Sequence, residues 1–176
     1  VKVTGLRLRQ RDGVTCGPSV AVLAGALLDP RRGAVLFDPR SGQALFAAEQ
    51  GRVHAEVNVL WPRRLGTTPL GLTRAMTAAG ATAGVPYRWR LSRGRCDRLT
   101  DVLAAVHNHR PVAMLIGRVV PRHWVLIVEA AGDTVECYEP SSGAMRRVAI
   151  ADVRRGRLSG LGYPLPFAFI VPCSNV

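Results

Sequence analysis

The stretch QRDGVTCGPSVAVLAGALLD, residues 10–29, decides how the rest of the chain is read. Asp12-Gly13 is a turn signal. Just past it, Thr15 or Cys16 opens a helix: Pro18 falls in the first turn, where its missing N–H costs nothing, and Val20, Leu23, Ala24, Leu27 and Leu28 recur at helical spacing. That apolar face makes the helix a core element, and Asp29-Pro30 ends it. The interior helix therefore carries a thiol, Cys16, at its N-terminal mouth. A helix N-terminus favours an anion, and a cysteine attacks well only as thiolate. Gly17 is expected to leave room for a substrate carbonyl. Gln10 lies six positions upstream, and its side-chain amide, with the backbone N–H of Cys16, supplies donors for an oxyanion.

Downstream, the period of the apolar residues changes. Tyr87–Arg90 alternates like a strand, and after Pro111 come VAMLIG (112–117), WVLIV (124–128), TVECYE (134–139), AMRRVAI (144–150) and FAFIV (167–171). The N-terminal half reads differently. Thr68-Pro69 caps a second helix with Leu72, Ala75, Met76 and Ala79 on one face and Gly80 at its end. A third helix runs from about Cys96 to His109. Residues 1–9 suggest a strand-like entry. Residues 30–68 are read as turns (DPRRG, DPRSG, GTTP) around a short helix within residues 45–61, and the substrate-binding loops are expected there. Helices in the first half and antiparallel strands in the second make an α+β fold, with residues 1–176 as a single domain.

A hairpin turning at Gly132-Asp133 brings the end of TVECYE back beside the start of the strand that begins near His123. Glu139 and His123 then become cross-strand neighbours. A carboxylate in that place orients an imidazole and stabilises its charged form. Glu129 and Glu136 lie nearer the turn. His107 and His109 end a helix, where imidazolium suits the carbonyl ends, and their spacing of two does not make a metal pair. Nucleophile, amide, imidazole and carboxylate together are the parts of a thiol acyl-transfer site.

The 176 residues carry a formal net charge of +12 with Lys2 as the only lysine. Such arginine bias fits a GC-rich coding sequence, or attraction to an acidic partner protein. The arginines are scattered and aromatic residues are only 6%, so nucleic acid is a disfavoured partner. No apolar run spans a bilayer. The chain begins at Val1, which suggests a processed product or excised domain, cytoplasmic or secreted. No two of Cys16, Cys96, Cys137 and Cys173 sit at CxxC spacing, which argues against a zinc knuckle. The last three read as small apolar residues, with a single bridge among them left open.

With these residues in place, the chain resembles the papain-like cysteine peptidases, most of all the bacterial branch that includes bacteriocin-processing, double-glycine peptidases. QRDGVTCGPSVAVL and HWVLIVEAAGDTVECYEP carry the resemblance, with Trp124 after the histidine also suiting the pattern. It implies a papain-like fold, with Cys16 as nucleophile, His123 as general base and acid, and Gln10 as oxyanion donor. That family usually has Asp or Asn before the proline, where this chain has Glu139. Residues 1–176 show no transporter or nucleotide-binding segment, so a peptidase fused to an export machine is not expected.

The expected function is a thiol hydrolase cleaving a peptide or isopeptide bond of a peptide or protein substrate, with no cofactor or metal required. Deamidase, transglutaminase-like acyltransferase or cell-wall amidase activity, acting as a secreted toxin domain, are alternatives with the same acyl-enzyme and a different resolving nucleophile. An inactive binding module of the same fold is the non-enzymatic alternative.

Overall fold

The structure is a computed structural model and describes residues 8–57 and 67–173. The strand-like entry expected over residues 1–9 lies, up to residue 7, outside the described residues, as do residues 58–61 of the expected short helix and Gly66 of GTTP. Helix α1 (Cys16–Leu28) has no charged residue and is buried on nearly every side. A helix apolar all round belongs inside a protein. It is followed by α2 (Pro30–Leu36), α3 (Gly42–Val57) and α4 (Pro69–Ala79). Then come β1 (Tyr87–Leu91), α5 (Thr100–His107), β2 (Val112–Gly117), β3 (Pro121–Ala131), β4 (Thr134–Glu139), β5 (Ala144–Ala149), α6 (Ile150–Arg155) and β6 (Leu165–Pro172).

The strands form one antiparallel sheet in the order β1-β6-β2-β3-β4-β5. Its two faces bury different cores. Ala113, Leu115, Trp124, Leu126, Tyr138, Ala168 and Ile170 pack with α1 to α4. Their alternate neighbours, among them Met114, Ile116, Val125, Ile127 and Phe169, pack with Val102 and Val106 of α5 and Val153 of α6. Strand β2 is buried along its whole length, which is why VAMLIG is continuously apolar instead of alternating. The edge strands β1 and β5 carry Arg88 and Arg90, and Arg146 and Arg147, charges that disfavour pairing with another sheet. Arg90 ties β1 to the second core: it bonds Asp97 and Asp101, each at 2.6 Å, and lies 4.8 Å over the Phe169 ring.

The α+β arrangement, with helices in the N-terminal half and antiparallel strands in the C-terminal half, is the expected one. The segment after Asp29 is more helical than its turn residues suggest. Asp29 both ends α1 and caps α2, its side chain accepting from Arg31 N–H with Pro30 at the first helical position. Asp38 makes a real turn, accepting from Arg40 and Ser41 N–H before α3 begins. The expected loops are thus largely helices, and α3 is 16 residues long. Helix α4 starts and ends where expected, with the Thr68 side chain accepting from Gly71 N–H at 3.0 Å. Helix α5 is shorter than the expected 96–109. Leu99 just before it and His109 just after it adopt left-handed backbone (φ 55 for both), which interrupts a helix.

Candidate functional site

Three of the four expected residues meet where the helical half touches the sheet. Cys16 is the first residue of α1, His123 lies near the start of β3 and Glu139 ends β4. His123 Nε2 and Glu139 Oε1 are 2.8 Å apart, which leaves Nδ1 for the sulfur. Burial by itself disfavours the charged ring. Hydrogen bonding to Cys16 and to Glu139, together with the negative charge of both partners, outweighs it and pushes the His123 pKa up to about 9. Cys16 is only 4% exposed and His123 8%, so both are buried.

The register that places Glu139 was not legible in the turn alone. Ala131 pairs with Thr134 and Glu129 with Glu136, a register that would set Glu139 opposite Leu126, among the side chains facing α1 to α4. An irregularity between Ile127 and Glu129 inserts Val128 as an extra residue, and Ile127 then pairs with Cys137 and Leu126 with Tyr138. Extended by one pair, that register sets Glu139 opposite Val125, in the same alternation as His123. Glu129 and Glu136 pair with each other, away from the imidazole.

The Glu139 carboxylate is cradled by its own turn. Besides the His123 ring, Oε1 accepts from Ser141 N–H (2.8 Å) and the Ser141 hydroxyl, and Oε2 from Ser142 N–H (2.9 Å) and the Ser142 hydroxyl (2.6 Å). Burial would favour the neutral acid, but the bonds from His123, Ser141 and Ser142 hold the carboxyl well below the usual range. The longer side chain lets Glu139 fold back over the turn while still reaching the ring. In the sequence Ser142-Gly143 reads as a turn into AMRRVAI, and neither Ser141 nor Ser142 reads as part of the site. Nor does Tyr163, whose ring centroid lies 6.2 Å from that of His123.

Gln10 lies on an arm laid against the same turn. Its N–H donates to Pro140 O (2.8 Å), Arg9 Nε donates to Ser142 O (3.0 Å), and the Tyr138 hydroxyl donates to Leu8 O (2.5 Å). Gln10 Oε1 is buried and has no hydrogen-bond partner among the described residues. Buried orphans of this kind are rare enough to call for an explanation.

Gly17 has a different role from the one its position suggested. A Cβ there would lie 2.6 Å from Thr67 Cβ and 2.7 Å from Thr67 Oγ1. The glycine therefore admits Thr67, whose carbonyl accepts the Trp124 indole N–H at 2.8 Å. One contact chain thus joins the start of α1 to the residue after His123. The other histidines lie elsewhere in the fold: His54 is buried within α3, and His107 bonds back to Leu103 O at the end of α5.

All four cysteines are free. Cys137 is the small buried residue expected, its thiol pushed up to about 12 by burial and then by Glu136. Cys96 departs from that expectation: it is exposed, and Cys173 is half-buried. Among the described residues no group of three or more His, Cys, Asp or Glu is placed to hold a metal ion, and no helix is long and apolar enough to cross a membrane. A separate groove of about 660 Å³, lined in part by Ala21, Val35, Leu45 and Val53 and edged by Arg31 and Arg52, lies among α1 to α4 and includes none of the four expected site residues.

No protein-family model and no curated protein matches the sequence. Among solved structures, the chain is similar to the Pseudomonas avirulence protein AvrPphB at 13% identity and a TM-score of 0.46, with 93% of this chain and 95% of that one covered.

Proposed function

We propose that the chain is a thiol-dependent hydrolase of papain-like architecture, a single catalytic domain that cleaves a peptide or isopeptide bond of a protein substrate. The observation that carries this reading is the His123 ring held between Cys16 and a carboxylate kept ionised by its own turn. In the proposed cycle the Cys16 sulfur attacks the carbonyl carbon while its proton resides on His123. Negative charge develops on the carbonyl oxygen, and the Gln10 amide and Cys16 N–H stabilise it, with the positive end of α1 behind them. His123 gives its proton to the departing amine, and the carbon–nitrogen bond breaks to leave a thioester. His123 then takes a proton from water as the water attacks, and the acid is released with the thiol restored. Glu139 holds the ring in one tautomer throughout and stabilises its charged form.

The four free thiols make the test internal to the chain. Cys96 is exposed and reacts by access alone, whereas Cys16 is nearly covered. Iodoacetamide at near-neutral pH, followed by peptide mapping, is expected to label Cys16 ahead of Cys96, and His123→Ala is expected to abolish that lead. Incubation with a mixed peptide and cell-wall pool should then yield a trapped thioester on Cys16, seen by mass spectrometry. Labelling of Cys96 first, with Cys16 indifferent to His123→Ala, overturns the reading.

A further inference from the structure

On the reading of Gln10 as an oxyanion donor, we infer that Gln50 is the positioning residue that aims it. Gln50 sits in α3 and is fully buried. Phe46, Val53 and His54, its neighbours at helical spacing, are also buried. An amide on such a face is costly unless both its ends are bonded. Here both ends bond the arm. Gln50 Oε1 accepts from Arg11 N–H at 2.8 Å, and Gln50 Nε2 donates to Arg9 O at 3.2 Å.

The two bonds bracket Gln10 on either side, in the way a neighbouring strand would. The N–H of Gln10 itself is held from the opposite side by Pro140 O at 2.8 Å. Gly51, next along α3, lacks the Cβ that would stand 3.2 Å from the Arg11 guanidinium, so the arm lies close on the helix. Residue 10 is thus fixed between α3 and the turn that carries Glu139, and no bond from Gln50 runs to Cys16, His123 or Glu139. A residue so placed sets the donor's geometry without entering the thiol–imidazole pair.

The full chain is tested with two probes. Acylation by p-nitrophenyl acetate forms the sulfur–carbonyl bond through an oxyanion and expels p-nitrophenolate. Alkylation by iodoacetamide forms a sulfur–carbon bond, expels iodide and develops no oxyanion. Gln50→Met is expected to slow acylation of Cys16 by ~10–100-fold while alkylation stays within about twofold of the parent. In a Gln10→Ala background it should slow acylation no further. Equal losses in both reactions mean a general disturbance and overturn the inference, as does undiminished acylation. Gln50→Glu keeps the acceptor for Arg11 and loses the donor to Arg9; an intermediate, acylation-only loss is expected, and it decides the matter if the methionine variant does not fold. Failure of the underlying reading looks different: the unsubstituted chain would then show no Cys16 acylation and no lead of Cys16 over Cys96.

Discussion

Replacing Glu139 by glutamine keeps the shape of the side chain and removes its charge. The His123 pKa stands at about 9 against an ordinary 6.5, a preference for the imidazolium of about 3 kcal/mol at ~1.4 kcal/mol per tenfold. Burial opposes that preference, so Cys16 and Glu139 together contribute more than the net figure, and removing one negative partner removes at least half of it, about 1.5 kcal/mol or more, and lowers the midpoint by at least about one pH unit. The amide cannot satisfy the donors that converge on the carboxylate, because an N–H₂ now faces either the ring and the Ser141 donors or the Ser142 donors. That mismatch lowers the midpoint further if the amide nitrogen turns toward the ring. The measurement is an NMR titration of the His123 ring protons, identified by their loss in His123→Ala. A midpoint that stays at about 9 in Glu139→Gln refutes the reasoning, because Cys16 alone would then account for the charged ring.

Three other outcomes follow from the same geometry. His123, whose pKa is raised, stabilises the fold fully below 6.5 and loses that contribution as pH rises through about 9; Glu139, whose pKa is lowered, contributes fully above 4.5 and loses it as pH falls through its folded value. The difference in melting temperature between the parent and Glu139→Gln should therefore be greatest between pH 4.5 and 6.5 and shrink toward pH 9; a difference that grows with pH in that range would contradict the pairing. Gly17→Ala drives a methyl group into Thr67 at 2.6 Å and should cost ~1–3 kcal/mol in denaturant unfolding, with Thr67→Gly in the same chain recovering part of it; additive losses would mean the two residues do not collide. Arg90→Met leaves the buried Asp97 without its cation and should destabilise by ~3–5 kcal/mol, where a loss below ~1 kcal/mol would place the pair among surface contacts.

Much of this architecture was legible because local and global signals agree. Pro18 and the uncharged run after it specify α1, Thr68-Pro69 and Gly80 bound α4, and the shift from helical to alternating period after Pro111 specifies the sheet. What was not legible depends on tertiary contact. DPRRG reads as a turn, yet Asp29 serves one helix as its end and the next as its cap. Gly17 beside a candidate nucleophile suggests space for substrate, and only the packed fold places Thr67 there. Of the site, the hairpin turn was enough to bring Glu139 to the His123 end of the ladder, while the side it faces depends on the extra residue at Val128. Ser141 and Ser142 could not be placed, since they reach the Glu139 carboxylate only through the fold of their turn, and Gln50 could not, since its partners are backbone groups of Arg9 and Arg11 whose positions no periodicity encodes. A glutamine on the buried face shared by Phe46 and Val53 was the one trace of Gln50 in the sequence.

The extra residue at Val128 makes the hairpin an odd–even count. Side chains alternate sides along a strand, so a residue gained or lost in the paired stretch exchanges which of them face together, whereas an unpaired bulge residue stands outside that alternation. Deletion of Val128 would bring Ile127, opposite Cys137, directly beside Glu129, opposite Glu136, so Glu139 would stay opposite Val125 and on the side of the imidazole. Loss of a paired residue between Val128 and His123 would instead put Glu139 and His123 on opposite sides of the sheet.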